Sequence, residues 1–263
     1  MILLNNDTSE LLTYTTTKVN CNNGSGTGFL LNLCSKQDSC IPVLITNKHV
    51  ISTGEDYTFD LCLTDSAGGP IDQKVITRRG KTSEWYLHPA GLDLACLPIA
   101  PFLHNIEKTG NSAYYRAFDV SLIPSEEKLN ELASVEDIYI IGYPTGLEDT
   151  FNHKPLVRKG ITATHPKRDY LGRKEFVVDC PVFPGSSGSP VILFNQGSYS
   201  TSSGITIGQR LMLLGIAYAT YTAELIPVTI ETAQTTIAKI PNDLGLVIKS
   251  SELLVFEKIL ETQ

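Results

Sequence analysis

Pro184-Gly185-Ser186-Ser187-Gly188-Ser189-Pro190 is the run from which the fold can be read. Ser187 has a glycine two residues before it and another directly after it, and a proline closes the run. Glycine takes backbone conformations that a Cβ forbids, so a chain can turn sharply around the serine. The same turn lets a carbonyl approach two backbone N–H groups. Such donors stabilise the oxyanion of acyl transfer, each worth about 10²–10³ in rate. Taken alone, the run also suits a plain Gly/Ser turn between strands.

A serine hydroxyl is a weak nucleophile and needs a base held by a third group. Five histidines are available. His49 stands in Thr46-Asn47-Lys48-His49-Val50-Ile51, directly after the apolar run Ile41 to Ile45, at the end of a predicted strand. His88, His104, His153 and His165 have no strand leading into them. For the third group, Gly91-Leu92-Asp93-Leu94-Ala95-Cys96-Leu97 puts one carboxylate in an otherwise apolar predicted strand. A buried carboxylate is costly unless paired, and an imidazole N–H is a suitable partner. Asp60 and Asp179 are rivals: Asp60 alternates with apolar neighbours as an outward residue would, and Asp179 suits a prop for the serine loop. The chain order His49, Asp93, Ser187 differs from the Ser–Asp–His of α/β-hydrolases and the Asp–His–Ser of subtilisin-like folds.

The surroundings are β-rich. Short apolar or alternating runs recur at Gly28–Leu33, Ile41–Thr46, Thr58–Leu63, Leu92–Ile99, Asp137–Tyr143, Phe176–Cys180, Pro190–Phe194, Leu211–Tyr221 and Gly245–Ile248, separated by Gly/Pro turns. Many short strands with such punctuation read as a sandwich or barrels. Helix signatures are confined to Ser125–Ala133, with an N-cap serine and early acids, and to Ser251–Glu261. Asn195–Gly208 reads as a long hairpin loop, and Ala100–Pro124 as a connection between two β units.

Composition agrees with one large globular unit. The chain has 263 residues, 42% of them hydrophobic and 19% charged, with 21 Lys and Arg against 28 Asp and Glu for a net charge of −7. That balance argues against nucleic acid bound on a broad basic face. No Lys or Arg precedes Lys18, and only four apolar residues lead the chain. A secretory signal needs a basic start and an apolar run of roughly 7–15 residues. No run reaches the ~18 apolar residues of a membrane helix. The expectation is a cytoplasmic protein off the membrane. The six cysteines contain no C-x-x-C pair, so buried thiols are favoured over disulfides or a metal knuckle. No metal or cofactor is called for. Gly24–Gly28 lacks the following Lys and helix of a phosphate loop.

Together these segments resemble the trypsin/chymotrypsin-like serine proteases, and within them the bacterial HtrA-like branch. Gly24-Ser25-Gly26-Thr27-Gly28-Phe29 resembles that branch's first glycine turn, Thr46–Ile51 its histidine segment, Asp93–Leu97 its aspartate strand, and Asp179–Pro190 its nucleophile loop. Gly142–Gly146 and Leu214–Ala217 fit two further strands of its second barrel. The likeness spans about residues 24–248, in the family's order. It implies an all-β fold of two six-stranded antiparallel β-barrels with the active site between them, followed by the short C-terminal helix. The barrels fall at about 12–104 and 135–248, the linker or insertion at about 105–134, and the helix at about 251–261.

The resemblance also assigns roles. His49 is the general base and acid, Asp93 orients it, Ser187 attacks, and the N–H groups of Gly185 and Ser187 form the oxyanion hole. Residues matching the primary pocket are Val182, Phe183, Ala217 and Ala219, which implies a small or apolar side chain at the cleavage site and a protein or peptide substrate. The sequence departs from the family at several points. Its secreted members' disulfide cysteines are absent. Ser186 stands where those members carry an Asp that pairs with a new N-terminus, so activation by N-terminal cleavage is not expected. Ser189 replaces a usual glycine, and with only a short tail after Ile248 the PDZ domain of HtrA proteins is not expected. The alternative readings are a catalytically silent protease-fold module that binds peptides and a small-ester hydrolase.

Overall fold

A computed structural model describes residues 8–34, 40–201, 204–224 and 239–262. The leading segment 1–7, read above for targeting, and the Cys34 thiol lie outside the described residues. In chain order the strands are β1 Thr16–Cys21, β2 Gly24–Cys34, β3 Cys40–Thr46, β4 Asp56–Thr64, β5 Pro70–Lys81, β6 Tyr86–Leu87, β7 Ala95–Pro98, β8 Ala113–Tyr114, β9 Phe118–Asp119, β10 Asp137–Gly142, β11 Leu156–Thr162, β12 Glu175–Asp179, β13 Pro190–Asn195, β14 Ser198–Thr201, β15 Gly204–Ile207, β16 Arg210–Glu224 and β17 Lys239–Lys249. The α-helices are α1 Thr8–Leu12, α2 Lys48–Ile51, α3 Ala100–Lys108, α4 Glu126–Glu131 and α5 Val255–Glu261.

The all-β reading holds. Strands β10-β11-β12-β17-β16-β13 close into a six-stranded barrel. The N-terminal half is a nine-stranded sheet whose main path runs β5-β4-β1-β2-β3-β7-β6. Its two end strands, β5 and β6, are consecutive in sequence and joined by a 3-10 turn at Thr82–Glu84, so the sheet curls round on itself. Residues 105–134 are more than a connection. They add β8, which pairs with β4, and β9, which pairs parallel to β2. They also carry α4, where the Ser125 hydroxyl accepts from the Lys128 N–H at 3.4 Å as its N-cap. The polar stretch after β13 forms the separate β14–β15 hairpin.

The continuous apolar runs have a packing reason. Successive strand residues face opposite sides, and here both sides are dry. Phe29, Leu31 and Leu33 of β2 and Val43 and Ile45 of β3 face one cluster, while Leu30 and Leu44 face another inside the curled sheet with Tyr57, Phe59 and Trp85. In the barrel, Val191 and Leu193 of β13 point inward with Ile138, Phe176 and Val247. Ile192 and Phe194 point outward into the first cluster, which therefore joins the two halves and includes Phe256 of α5. Each fully buried Leu, Ile or Phe contributes about 1.5–3 kcal/mol. This shared cluster fixes one half against the other. Cys62, Cys96 and Cys180 are buried thiols within these layers. No helix among the described residues is long and apolar enough to cross a membrane.

Candidate active site

Three chain segments meet at the junction of the two halves. The first leaves β3 through Asn47, which is fully buried and donates its side-chain Nδ2 to the Asp93 carbonyl at 2.7 Å. His49 follows on α2, a single helical turn, instead of at a strand end. The second is the approach to β7. Asp93 lies in the turn before that strand rather than inside it, because Leu94 N–H closes on Leu92 O at 2.8 Å and strand pairing starts at Ala95. Its carboxylate is half-buried and spends both oxygens on His49. Oδ2 lies 2.6 Å from Nδ1, and Oδ1 accepts from the His49 main-chain N–H at 2.9 Å. The contact assigns the imidazole proton to Nδ1 and leaves the Nε2 lone pair free in the neutral ring. Of the rivals, Asp60 accepts from the Thr77 hydroxyl at 2.5 Å, and Asp179 is exposed.

The third segment is the loop between β12 and β13. Gly185 has φ +86° and Gly188 φ +88°, both in the left-handed region. A Cβ on Gly185 would lie 2.4 Å from the Tyr143 carbonyl oxygen, and one on Gly188 would lie 2.0 Å from that of Thr27. The loop is bound back almost atom by atom. Pro184 O accepts from Thr145 N at 2.5 Å, Ser186 O from Ser189 N at 3.0 Å, and Ser187 O from Thr27 N at 2.8 Å. Gly185 O accepts from the Thr27 hydroxyl at 2.9 Å. Ser186 N donates to Phe183 O, and Gly188 N to Ala217 O.

The amides of Gly185 and Ser187 are left with no acceptor among the described residues. In a planar trans peptide, C=O and N–H point opposite ways. Fixing Pro184 O therefore aims the Gly185 N–H, and fixing Ser186 O aims the Ser187 N–H. The Ser187 hydroxyl donates to the Tyr218 carbonyl at 3.4 Å rather than to His49. Around Gly26 the two segments come close: a Cβ there would meet the Val50 side chain on one side and the Ser187 carbonyl oxygen at 3.0 Å on the other.

A family model described as the trypsin-like peptidase domain matches residues 26–199. The chain belongs to the trypsin-like peptidase domain family. No curated protein matches its sequence significantly. Among solved structures, the inactive form of a serine-to-alanine mutant of Rv3671c from M. tuberculosis H37Rv is 14% identical, with a TM-score of 0.47 over 100% of this chain and 94% of that one. The MamO protease domain from Magnetospirillum magneticum is 13% identical, with a TM-score of 0.46 over 94% of this chain and 98% of that one.

In this peptidase domain the four residues expected at the primary pocket do not share one surface. Val182 and Ala217 are buried in the barrel core, beside Val178 and Val247. Phe183 is 38% exposed, with the Arg158 guanidinium carbon 5.9 Å from its ring centre. Ala219 is half-buried and pairs with Leu246 of β17. Several residues that hold the site were not singled out from the sequence. Thr27 was read only as part of a glycine cluster. It is fully buried and also accepts from Tyr143 N at 3.1 Å and, through its carbonyl, from the Thr46 hydroxyl at 2.7 Å. Thr145 is the second, with φ +51°, a rare conformation for a β-branched residue. A threonine between glycines and the Pro-Thr-Gly run were the available hints.

Proposed function

We propose that the peptidase domain is a serine endopeptidase working through His49, Asp93 and Ser187. What carries the reading is the pair of amides at Gly185 and Ser187, left without an acceptor among the described residues and aimed by the bound carbonyls of Pro184 and Ser186. The Ser187 oxygen attacks the substrate carbonyl, and its proton passes to His49 Nε2. Asp93 holds the ring and stabilises the imidazolium. The carbonyl oxygen, now negative, accepts from the Gly185 and Ser187 N–H groups. The tetrahedral species collapses, the amine leaves with the proton from His49, and water repeats the sequence on the acyl-enzyme. Since Val182 and Ala217 fill the barrel core, the preference for small or apolar residues at the cleavage site rests only on the absence of a carboxylate from Cys180–Phe183.

One observation favours a catalytically silent peptide-binding module instead: the Ser187 hydroxyl faces the Tyr218 carbonyl. For catalysis it has to rotate about χ1 towards His49. Intact mass after incubation with a fluorophosphonate separates the readings. A single adduct on the wild type, absent from Ser187→Ala and His49→Ala, supports the peptidase. A folded wild type that takes no adduct supports the module.

A further inference from the structure

Arg158 sits on β11, opposite Ile140 of β10, in the wall of the closed barrel. It is half-buried, and among the described residues no carboxylate pairs with it. Burial pulls its pKa below the ordinary guanidinium value. A desolvated cation without a counter-ion is costly, so its remaining contacts should account for its position. Nη1 donates to the Pro181 carbonyl, and Nη2 to the Ser186 hydroxyl at 3.0 Å. Those two acceptors bracket the stretch that carries the Gly185 amide. Ser186 is itself fully buried, and its peptide carbonyl sets the direction of the Ser187 amide. The planar guanidinium presents a rigid fork of donors, and two bonds from one fork define an orientation as well as a distance.

We propose that Arg158 is a positioning residue. Its guanidinium clamps the 181–186 segment from the barrel wall and holds both oxyanion donors in place. The proposal rests on the serine peptidase reading above. It gives the 181–186 segment an internal cationic anchor from a strand. Arg158 bonds to Pro181 and Ser186 and not to His49, Asp93 or Ser187, so in this proposal its effect reaches catalysis through the loop.

The test compares wild type with Arg158→Ala, Arg158→Lys and Ser186→Ala by peptide-substrate kinetics and by hydrogen exchange of the segment 181–188. The oxyanion bonds act in the transition state, so Arg158→Ala should lower kcat by about 10²-fold with KM little changed. Added methylguanidinium should recover at least about tenfold of that loss. Exchange over 181–188 should accelerate and slow again with methylguanidinium, while β13 and β16 stay protected. Lysine cannot make both bonds, so Arg158→Lys should fall between wild type and alanine. If Arg158→Ala does not fold, Ser186→Ala keeps the cation, removes one acceptor and should lose about tenfold in kcat with faster loop exchange. Wild-type kcat and unchanged exchange in a folded variant overturn the proposal, as does a loss that methylguanidinium does not restore while exchange is unchanged. A wild type that neither turns over peptide nor takes a fluorophosphonate defeats the peptidase reading, and the exchange data then judge the clamp separately.

Discussion

The Thr145 amide donates to the Pro184 carbonyl at 2.5 Å, and Thr145 makes that bond from a left-handed backbone conformation at φ +51°. A threonine there is strained by about 1–2 kcal/mol relative to a glycine. The strained turn presents an N–H to the one peptide whose other end is the Gly185 amide. Thr145→Gly keeps the N–H and relieves the strain, at the expense of about 0.5–1 kcal/mol of chain entropy. The expected result is a protein as stable as wild type or up to about 1 kcal/mol more stable, with labelling by fluorophosphonate retained. Urea unfolding and the labelling rate check both.

Gly185→Ala should do the reverse. The new methyl would lie 2.4 Å from the Tyr143 carbonyl oxygen, at φ +86°. Backbone or neighbour must move, costing about 2 kcal/mol. Because the displaced amide is an oxyanion donor in the proposed mechanism, kcat should fall by about 10²-fold or more. A variant with wild-type kcat would remove Gly185 from that role.

Thr27 joins the N-terminal sheet to the loop through one hydroxyl, which donates to Gly185 O and accepts from Tyr143 N. Thr27→Val keeps the shape and leaves two buried backbone groups without partners. It should destabilise the protein by about 2–4 kcal/mol and slow labelling. Thr27→Ser keeps the hydroxyl and should cost only about 1 kcal/mol. Calorimetry on the pair isolates the hydroxyl from the methyl.

Ser187→Ala, His49→Ala and the double variant should show the same residual activity, since the groups act as a unit. Residual rates that multiply instead would mean that His49 is not the base that activates Ser187.

A pH dependence follows from Asp169. Its carboxylate accepts from Lys249 Nζ at 2.6 Å and Lys174 Nζ at 2.9 Å, and these bonds hold its pKa below the usual carboxylate value. A depressed folded-state pKa contributes stability that is present above the unfolded value, near ~3.9, and lost as pH falls through the folded one. Asp169→Asn should therefore lower stability at pH 7 by about 1 kcal/mol or less. It should also flatten the decline in stability below about pH 4. Chemical unfolding at a series of pH values reads both effects.

The tight turn at 184–190 and the His49–Asp93 contact were legible because each rests on a short motif. Glycines at fixed spacing around a serine record where the backbone must turn. The β character was legible for a similar reason, since apolar runs such as Phe29–Leu31 and Val191–Phe194 match strands buried on both faces. Asp93 shows the limit of that reading. Its apolar neighbours look like strand on both sides, yet the carboxylate stays out of the sheet to reach His49 with both oxygens.

What the sequence determined by itself is therefore the family and the short motifs behind the proposed site: the Gly/Ser loop, the histidine and aspartate segments, and the succession of short strands. What only the tertiary structure decided is how the loop is held. Thr27 to Gly185, Thr145 to Pro184 and Arg158 to Ser186 are bonds between residues far apart in the chain. The inward turn of Val182 and Ala217 is also a tertiary outcome, set by the closed barrel they fill. No periodicity or spacing encodes such pairings, because they arise only once the shared apolar cluster has packed the two halves together and given each donor its acceptor.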